Sequence, residues 1–300
     1  MSYHVPVLLK ESIEGLYLQQ GGVYADLTFG GGGHTKEILK NLEGGRVFGF
    51  DQDQDAVANA NDIQDDRFTL IEGNFRFMKR YLKFQGVEKI DGLLADLGIS
   101  SHQIDSPDRG FSTRFDGKLD MRMDRSAKRT AREVVSEYSE EDLHRIFGMY
   151  GEVRNARTLA AAIVKSRVNK QINTIADFKD IVLPLAPRKA ENKYLAQVFQ
   201  GLRIEVNDEL KSLEEMLLQT SEVIRKGGRL VIISYHSLED RIVKNFINKG
   251  KFFGELEKDI YGNYETPFHA INKKPIEASD EEVKINNRAR SAKLRIAERN

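Results

Sequence analysis

The stretch DLTFGGGGHT, Asp26 to Thr35, sets four consecutive glycines between an apolar run and an amphipathic one. Glycine costs roughly 0.5–1 kcal/mol relative to alanine inside regular structure, so such a run marks a backbone that must approach something closely. Before it, VYADLTF (23–29) reads as a strand; after it, TKEILKNL (35–42) has helical spacing. The alternation continues outward. RVFGFD (46–51), FTLIEG (68–73) and IDGLLADL (90–97) read as strands, and DAVANANDI (55–63) and FRFMKRYLKF (75–84) as helices. Strand–helix–strand repetition implies parallel strands with right-handed crossovers, hence an open, doubly wound α/β sheet.

The rhythm stops at about Ile104. From there to Ala196 the sequence offers helices only: SEEDLHRIFGMYG (139–151), with Ser139 and Asp142 as a cap pair, RTLAAAIVKSRV (157–168), and TIADFKDIVLPLA (174–186), with Thr174 and Asp177 as another. We expect an α/β domain from 1–103 and 197–300, interrupted by an inserted helical substrate-recognition subdomain at 104–196. Beyond the insert, Leu210, Leu213, Leu217, Thr220 and Ile224 share one face of a helix expected to end at Lys226-Gly227-Gly228. RLVIISY (229–235) reads as a strand and LEDRIVKNFIN (238–248) as a helix. Ala292, Leu294 and Ile296 alternate with Lys293 and Arg295, which predicts an edge strand with a basic, wet face. Residues 251–286 are polar and irregular, and the sequence does not place them.

The 300 residues carry 46 Lys plus Arg and 46 Asp plus Glu, so any basic surface must be local. Cysteine is absent, which excludes disulfides, thiolate metal sites and every Cys nucleophile. The six histidines show no metal-ligand spacing, so no metal is expected. No stretch approaches the ~20 apolar residues of a membrane span, and the amino terminus meets charge too early for a signal peptide, so the cytoplasm is the expected compartment.

The glycines fit neither GxxxxGK[ST] nor GxGxxG. They do fit acid-x-x-x-Gly-x-Gly through Asp26, Gly30 and Gly32, the pattern for S-adenosylmethionine. A helix start offers unpaired N–H groups and a positive dipole end, suited to a methionine carboxylate, and Gly32 and Gly33 lack the Cβ atoms that would keep a ligand off the main chain. A glycine turn with no ligand is the alternative for this stretch alone. Asp51 closes the second strand, eighteen residues after Gly33, where an acid takes ribose hydroxyls; by itself it does not separate NAD from S-adenosylmethionine. Asn74 and Phe75 end the third strand, placed for the edge and face of an adenine, although a core Phe is equally consistent. Asp96 falls just past the apolar part of the fourth strand, beside the expected methyl group. Without cysteine, attack at carbon 6 of a pyrimidine is closed to this chain. Direct in-line attack by an exocyclic amine, hydrogen-bonded by Asp96 and with no covalent enzyme intermediate, remains.

HVPVLLKE (4–11), FGGGGH (29–34), FDQD (50–53), DGLLADLGISS (91–101), RGFS (109–112), LDMRMD (119–124), FQGLRIEVNDEL (199–210), GGRLVIISYHSLEDRIVK (227–244) and NRARSAKLRIAER (287–299) together resemble the bacterial 16S ribosomal RNA cytosine-N4 methyltransferases of the RsmH (MraW) type. The resemblance spans nearly the whole chain. It implies a class I S-adenosylmethionine-dependent methyltransferase fold with a helical insert. The implied target is a cytosine amine in the decoding region of 16S rRNA, within the small ribosomal subunit; a homodimer is compatible with it. By position, the family's cofactor contacts fall on Gly32, Gly33, His34, Asp51, Phe75, Asp96 and Gln103. Two departures mark this chain: His102 stands where the family has a proline, and KYLAQV (193–198) where it has a His-Pro-Ala stretch.

Substrate contacts are expected from His236, which follows the fifth strand with Ser234, although a satisfied structural histidine is equally consistent there, and from basic clusters. One holds Arg122, Arg125, Lys128, Arg129 and Arg132; the other holds Arg288, Arg290, Lys293 and Arg295. Two other readings stand beside this one. A DNA amino-methyltransferase is disfavoured by the missing PPY-type tetrapeptide after the fourth strand. A non-enzymatic ribosome-assembly factor is disfavoured by the intact glycine turn and Asp96.

Overall fold

The computed structural model describes residues 6–256, 261 and 264–300. His4 and Val5 of the HVPVLLKE stretch, and part of the unplaced stretch 251–286, lie outside the described residues. Contacts divide the chain into one unit formed by the residues up to Gly98 together with Leu210–Asn300, and a second unit, Ile99–Glu209.

The first unit is built on a sheet of eight strands: β1 (Val23–Asp26), β2 (Arg46–Asp51), β3 (Phe68–Glu72), β4 (Ile90–Asp96), β5 (Ile224–Ser234), β6 (Phe268–Ala270), β7 (Ile276–Glu277) and β8 (Lys293–Arg299). Their order is β3-β2-β1-β4-β5-β8-β6, with β7 also on β8. The pairs from β3 to β5 are parallel, and β8 runs antiparallel to both neighbours. This is the doubly wound sheet expected from the sequence, with the strand order reversing between β1 and β4.

Successive strand residues feed opposite faces. Phe48, Phe50, Leu93, Ala95, Leu230 and Ile232 enter one core, and Val47, Leu94, Val231 and Ile233 the other. Because both faces are covered, the central strands read as unbroken apolar runs. Helices Met78–Phe84, Glu209–Val223 and Ser237–Lys249 supply buried side chains to the first core, and helices Leu9–Leu16 and Gly33–Asn41 to the second.

Two local expectations are corrected. The helix before β5 ends at Val223, so Ile224 and the Lys226-Gly227-Gly228 segment belong to the strand. There β5 carries extra residues against β4, and Gly227 turns at φ 77°. The carboxy-terminal strand is not an edge, because β8 lies between β5 and β6. Its supposed wet face is covered: Arg295 is buried and gives two hydrogen bonds to Asp240, at 2.7 and 3.0 Å.

The second unit is helical, with one isolated bridge between Lys118 and Thr174. Capping side chains start its helices where the sequence placed them: Ser139 accepts from the Asp142 N–H, and Thr174 from the Asp177 N–H. Phe147, Leu159, Ile163, Phe178, Val198 and Leu202 fill its core. Helix Glu191–Asn207 buries Tyr194, Leu195, Val198, Phe199 and Leu202 there, which carries this unit past Ala196 to Glu209; its first residue is Ile99. Among the described residues no helix is long and apolar enough to cross a membrane.

Candidate active site

Parallel pairing aligns the carboxyl ends of β1, β2, β3 and β4 along one side of the sheet. Asp51 is level with Glu72, and Asp26 lies between Gly49 and Leu94. The ladder continues a residue or more past the strands. Leu27 N–H bonds the Leu94 carbonyl, Phe29 N–H the Phe50 carbonyl and Leu97 N–H the Ile233 carbonyl, each at 2.9 Å. The loops therefore leave the sheet from fixed points.

The first loop is the glycine turn. Gly32 N–H bonds the Phe29 carbonyl at 2.7 Å, and the helix Gly33–Asn41 starts directly after. Gly32 has φ 73°, and a Cβ on it would stand 2.9 Å from the Phe29 ring. A Cβ on Gly33 would fall 2.3 Å from Pro6 Cγ. Both glycines are thus required by the chain's own packing, whatever else their backbone serves. Asp26, fully buried, braces both sides of the turn: it accepts the Thr35 hydroxyl at 2.7 Å and the Thr28 N–H at 3.2 Å. Asn59 holds the Gly30 carbonyl at 2.9 Å. The first N–H groups of such a helix have no intrahelical acceptor.

Asp51 is tied to the same loop. One of its oxygens accepts the Gly30 N–H at 2.8 Å and the other the Asp53 N–H at 2.9 Å. Each oxygen keeps a second lone pair. Burial, against the pull of these two N–H groups, pushes the carboxyl up to about 6. Asn74 spends its amide on neighbours, accepting from the Arg76 N–H and donating to Gln52 Oε1 at 2.8 Å. Phe75 begins the following short helix, half-buried and packed on the sheet's core.

Asp96 closes β4. Its N–H donates to the Thr28 hydroxyl at 2.7 Å, and its Oδ1 accepts the Tyr235 hydroxyl at 2.7 Å. Among the described residues nothing donates to Oδ2. Burial raises this carboxyl to about 6; His34 and the Tyr235 hydrogen bond oppose the rise, while Asp26 and Glu239 add to it. Asp26, Asp51 and Asp96 thus crowd negative charge at adjoining strand tips, an arrangement suited to a ligand with positive charge at its centre.

The remaining expected residues are placed as follows. His34 is buried, and its Nε2 lies 3.1 Å from the Val7 carbonyl; Nε2 carries the proton of that bond, so the side chain anchors residues 6–8 over the helix start. His236 is the N-cap of Ser237–Lys249: its Nδ1 accepts the Glu239 N–H at 3.4 Å, and its Nε2 lies 3.2 Å from Glu239 Oε1. Ser234 is buried and donates to the Lys293 carbonyl at 3.4 Å, within the β5–β8 pair.

Gln103 belongs to the helical unit, where it closes a capping box: Oε1 accepts the Ser100 N–H at 3.0 Å, and Ser100 Oγ accepts the Gln103 N–H. In the same unit Arg122 is committed internally. It makes two bonds to Asp120 at 2.8 Å and two more to the carbonyls of Arg125 and Ala127. Arg125 is exposed and pairs with Asp108 at 3.1 Å.

The sequence reading missed Tyr235, Thr28, Thr35 and the Pro6–Val7 cover. Tyr235 had a usable signal, since it sits between the two residues singled out after the fifth strand. The others act through contacts that no spacing announces.

A family model for the MraW methylase family matches residues 1–300. A protein of Cytophaga hutchinsonii named ribosomal RNA small subunit methyltransferase H is 61% identical over 297 residues, covering 99% of each chain. Its namesake in Flavobacterium johnsoniae is 55% identical, covering 100% of this chain and 98% of the relative. Among solved structures, an rRNA methylase from Streptococcus thermophilus covers 100% of this chain and 98% of its own at 13% identity and a TM-score of 0.39. At that distance the site is built from this chain's own geometry.

Proposed function

The chain belongs to the MraW methylase family, and we propose that it transfers a methyl group from S-adenosylmethionine to the exocyclic N4 amine of a cytosine in small-subunit ribosomal RNA. The curated relatives' names supply the polymer; the strand tips supply the chemistry.

The residues present fit the donor. When bound, S-adenosylmethionine contributes an electrophilic methyl group on a cationic sulfur. The Asp51 carboxylate has two lone pairs left for the ribose hydroxyls, and the helix start at Gly33 and His34 offers N–H groups to a carboxylate. Phe75 stands at the third strand tip for the adenine, and Gln103 is assigned to the same ligand by family position. Asp26, Asp51 and Asp96 carry charge opposite to the sulfonium.

Asp96 carries the reading. A cytosine amine is a weak nucleophile because its lone pair is delocalised into the ring. The unbonded Asp96 Oδ2 would accept an amine N–H, turn the lone pair toward the methyl carbon and take up the proton that nitrogen sheds as the N–C bond forms, the sulfur–methyl bond breaking to leave the donor as its neutral thioether. Holding the two reactants in line supplies up to roughly 7–11 kcal/mol. With no cysteine in the chain, no covalent adduct at carbon 6 intervenes. His236, Arg122 and Arg125 are candidate contacts to an unstacked nucleotide, and the helical unit is the candidate RNA-recognition element, acting in the cytoplasm on the assembled subunit.

The test is direct. Labelled S-adenosylmethionine is incubated with unmodified small subunits, naked 16S rRNA or DNA, and the nucleosides are identified after digestion. Label in N4-methylcytidine from subunits is the expected result. Label in DNA, at another atom, or nowhere would reject the proposal.

A further inference from the structure

Asp96 has a neighbour one residue past the end of the adjoining strand β5. Parallel pairing sets Asp96 level with Ile233, and the bond from Leu97 N–H to the Ile233 carbonyl keeps the two departing chains side by side. Tyr235 follows Ile233 by two residues, so its side chain falls on the same side. Its hydroxyl reaches Asp96 Oδ1 at 2.7 Å.

The tyrosine is itself held. Its N–H donates to the buried Glu239 carboxylate at 2.9 Å, and its ring packs against the core that contains Val231 and Ile233. Gly98, at φ 101°, carries no side chain over the ring, and a Cβ there would lie 3.5 Å from Tyr235 Cδ2. A phenol donates once, and here it donates to one oxygen of a carboxylate whose other oxygen takes no partner among the described residues.

We infer that Tyr235 is a positioning residue for methyl transfer: it clamps Asp96 Oδ1 and thereby presents Oδ2 to the substrate amine. This rests on the role given above to Asp96. His34 and the Tyr235 hydroxyl favour ionised Asp96, while Asp26 and Glu239 oppose it; Tyr235 faces Asp96, Glu239 and Glu282, and its own ionisation is pushed well above the ordinary tyrosine range by burial and by these carboxylates. The phenol therefore stays a donor throughout the working range.

The experiment compares wild type, Tyr235→Phe, Asp96→Asn and the double variant, each with small subunits and saturating S-adenosylmethionine. Melting temperature and donor affinity serve as folding controls, since the phenylalanine keeps the ring. A hydrogen bond to a charged group is worth about 1.5–3 kcal/mol. Losing it should therefore move the acid limb of kcat upward by about one to two pH units, lowering the rate on that limb roughly ten- to a hundredfold. The deficit should close as the pH rises, and the double variant should be no slower than Asp96→Asn alone. A Tyr235→Phe profile that superimposes on wild type overturns the inference, as does a double variant slowed by the full product of the two single effects. Wild type that leaves cytidine amines unmodified overturns instead the reading on which the inference rests.

Discussion

Asparagine at position 96 separates what the strand tip does for stability from what it does for chemistry. Burial lifts the Asp96 carboxyl from 3.8 to about 6. Between those values the folded chain holds a proton that the unfolded chain has released, so stability falls as the pH rises through the window. Each pH unit corresponds to about 1.36 kcal/mol, which makes ionised Asp96 cost the folded state about 3 kcal/mol at neutral pH. The amide in Asp96→Asn keeps an oxygen for the Tyr235 hydroxyl and has no charge to desolvate. It should recover about 1–3 kcal/mol of that cost. For a chain of this length that is a rise of about 2–5 °C in melting temperature, accompanied by loss of methyl transfer. Scanning calorimetry on ligand-free protein checks it at about pH 7.5 and again at about pH 5, where the wild-type carboxyl is mostly protonated and the advantage should shrink. A variant that melts below wild type at the higher pH, or one whose advantage is undiminished at the lower, refutes the argument.

Further outcomes are expected elsewhere. Asp51→Asn places an NH2 group against the Gly30 or Asp53 N–H and removes an acceptor for the ribose, so titration calorimetry should show S-adenosylmethionine affinity down roughly ten- to a hundredfold; a change under twofold would count against the assignment. In the wild type the same affinity should weaken as the pH drops below about 6, where Asp51 takes up its proton. Gly33→Ala drives a methyl group to 2.3 Å from Pro6 Cγ and should cost about 1–3 kcal/mol by urea denaturation; an unaltered midpoint would mean that the Pro6 segment yields freely. Arg295→Ala leaves the half-buried Asp240 without its cation and should cost about 1–3 kcal/mol by the same titration, more than Arg295→Met combined with Asp240→Leu.

Much of this was legible in the chain because the physics is local. The strands RVFGFD and FTLIEG announce themselves by apolar runs flanked by turns, and the caps at Ser139 and Thr174 by a hydroxyl three residues before an acid. Asp51 and Asp96 end their strands as the sequence suggested, because an apolar run that stops at an acid places that acid at the sheet's rim. What failed was non-local. Lys293 and Arg295 alternate as a surface strand would, but only the neighbour β6 and the helix carrying Asp240 reveal that β8 is internal. The bonds of Arg122 to Asp120 and to two carbonyls were likewise beyond the reach of sequence spacing. The phenol of Tyr235 finds its partner 139 positions away, a pairing set by strand order and invisible to any window of sequence.

The placement of β8 also constrains how the chain acquires its shape during synthesis. The sheet closes only when residues 293–299 slot between β5 and β6. A nascent chain halted at about residue 250 would have every parallel strand yet leave β5 with an open edge, its N–H and carbonyl groups available to any extended peptide nearby. Until residues 293–299 are in place, that edge of β5 is a template for unwanted strand pairing.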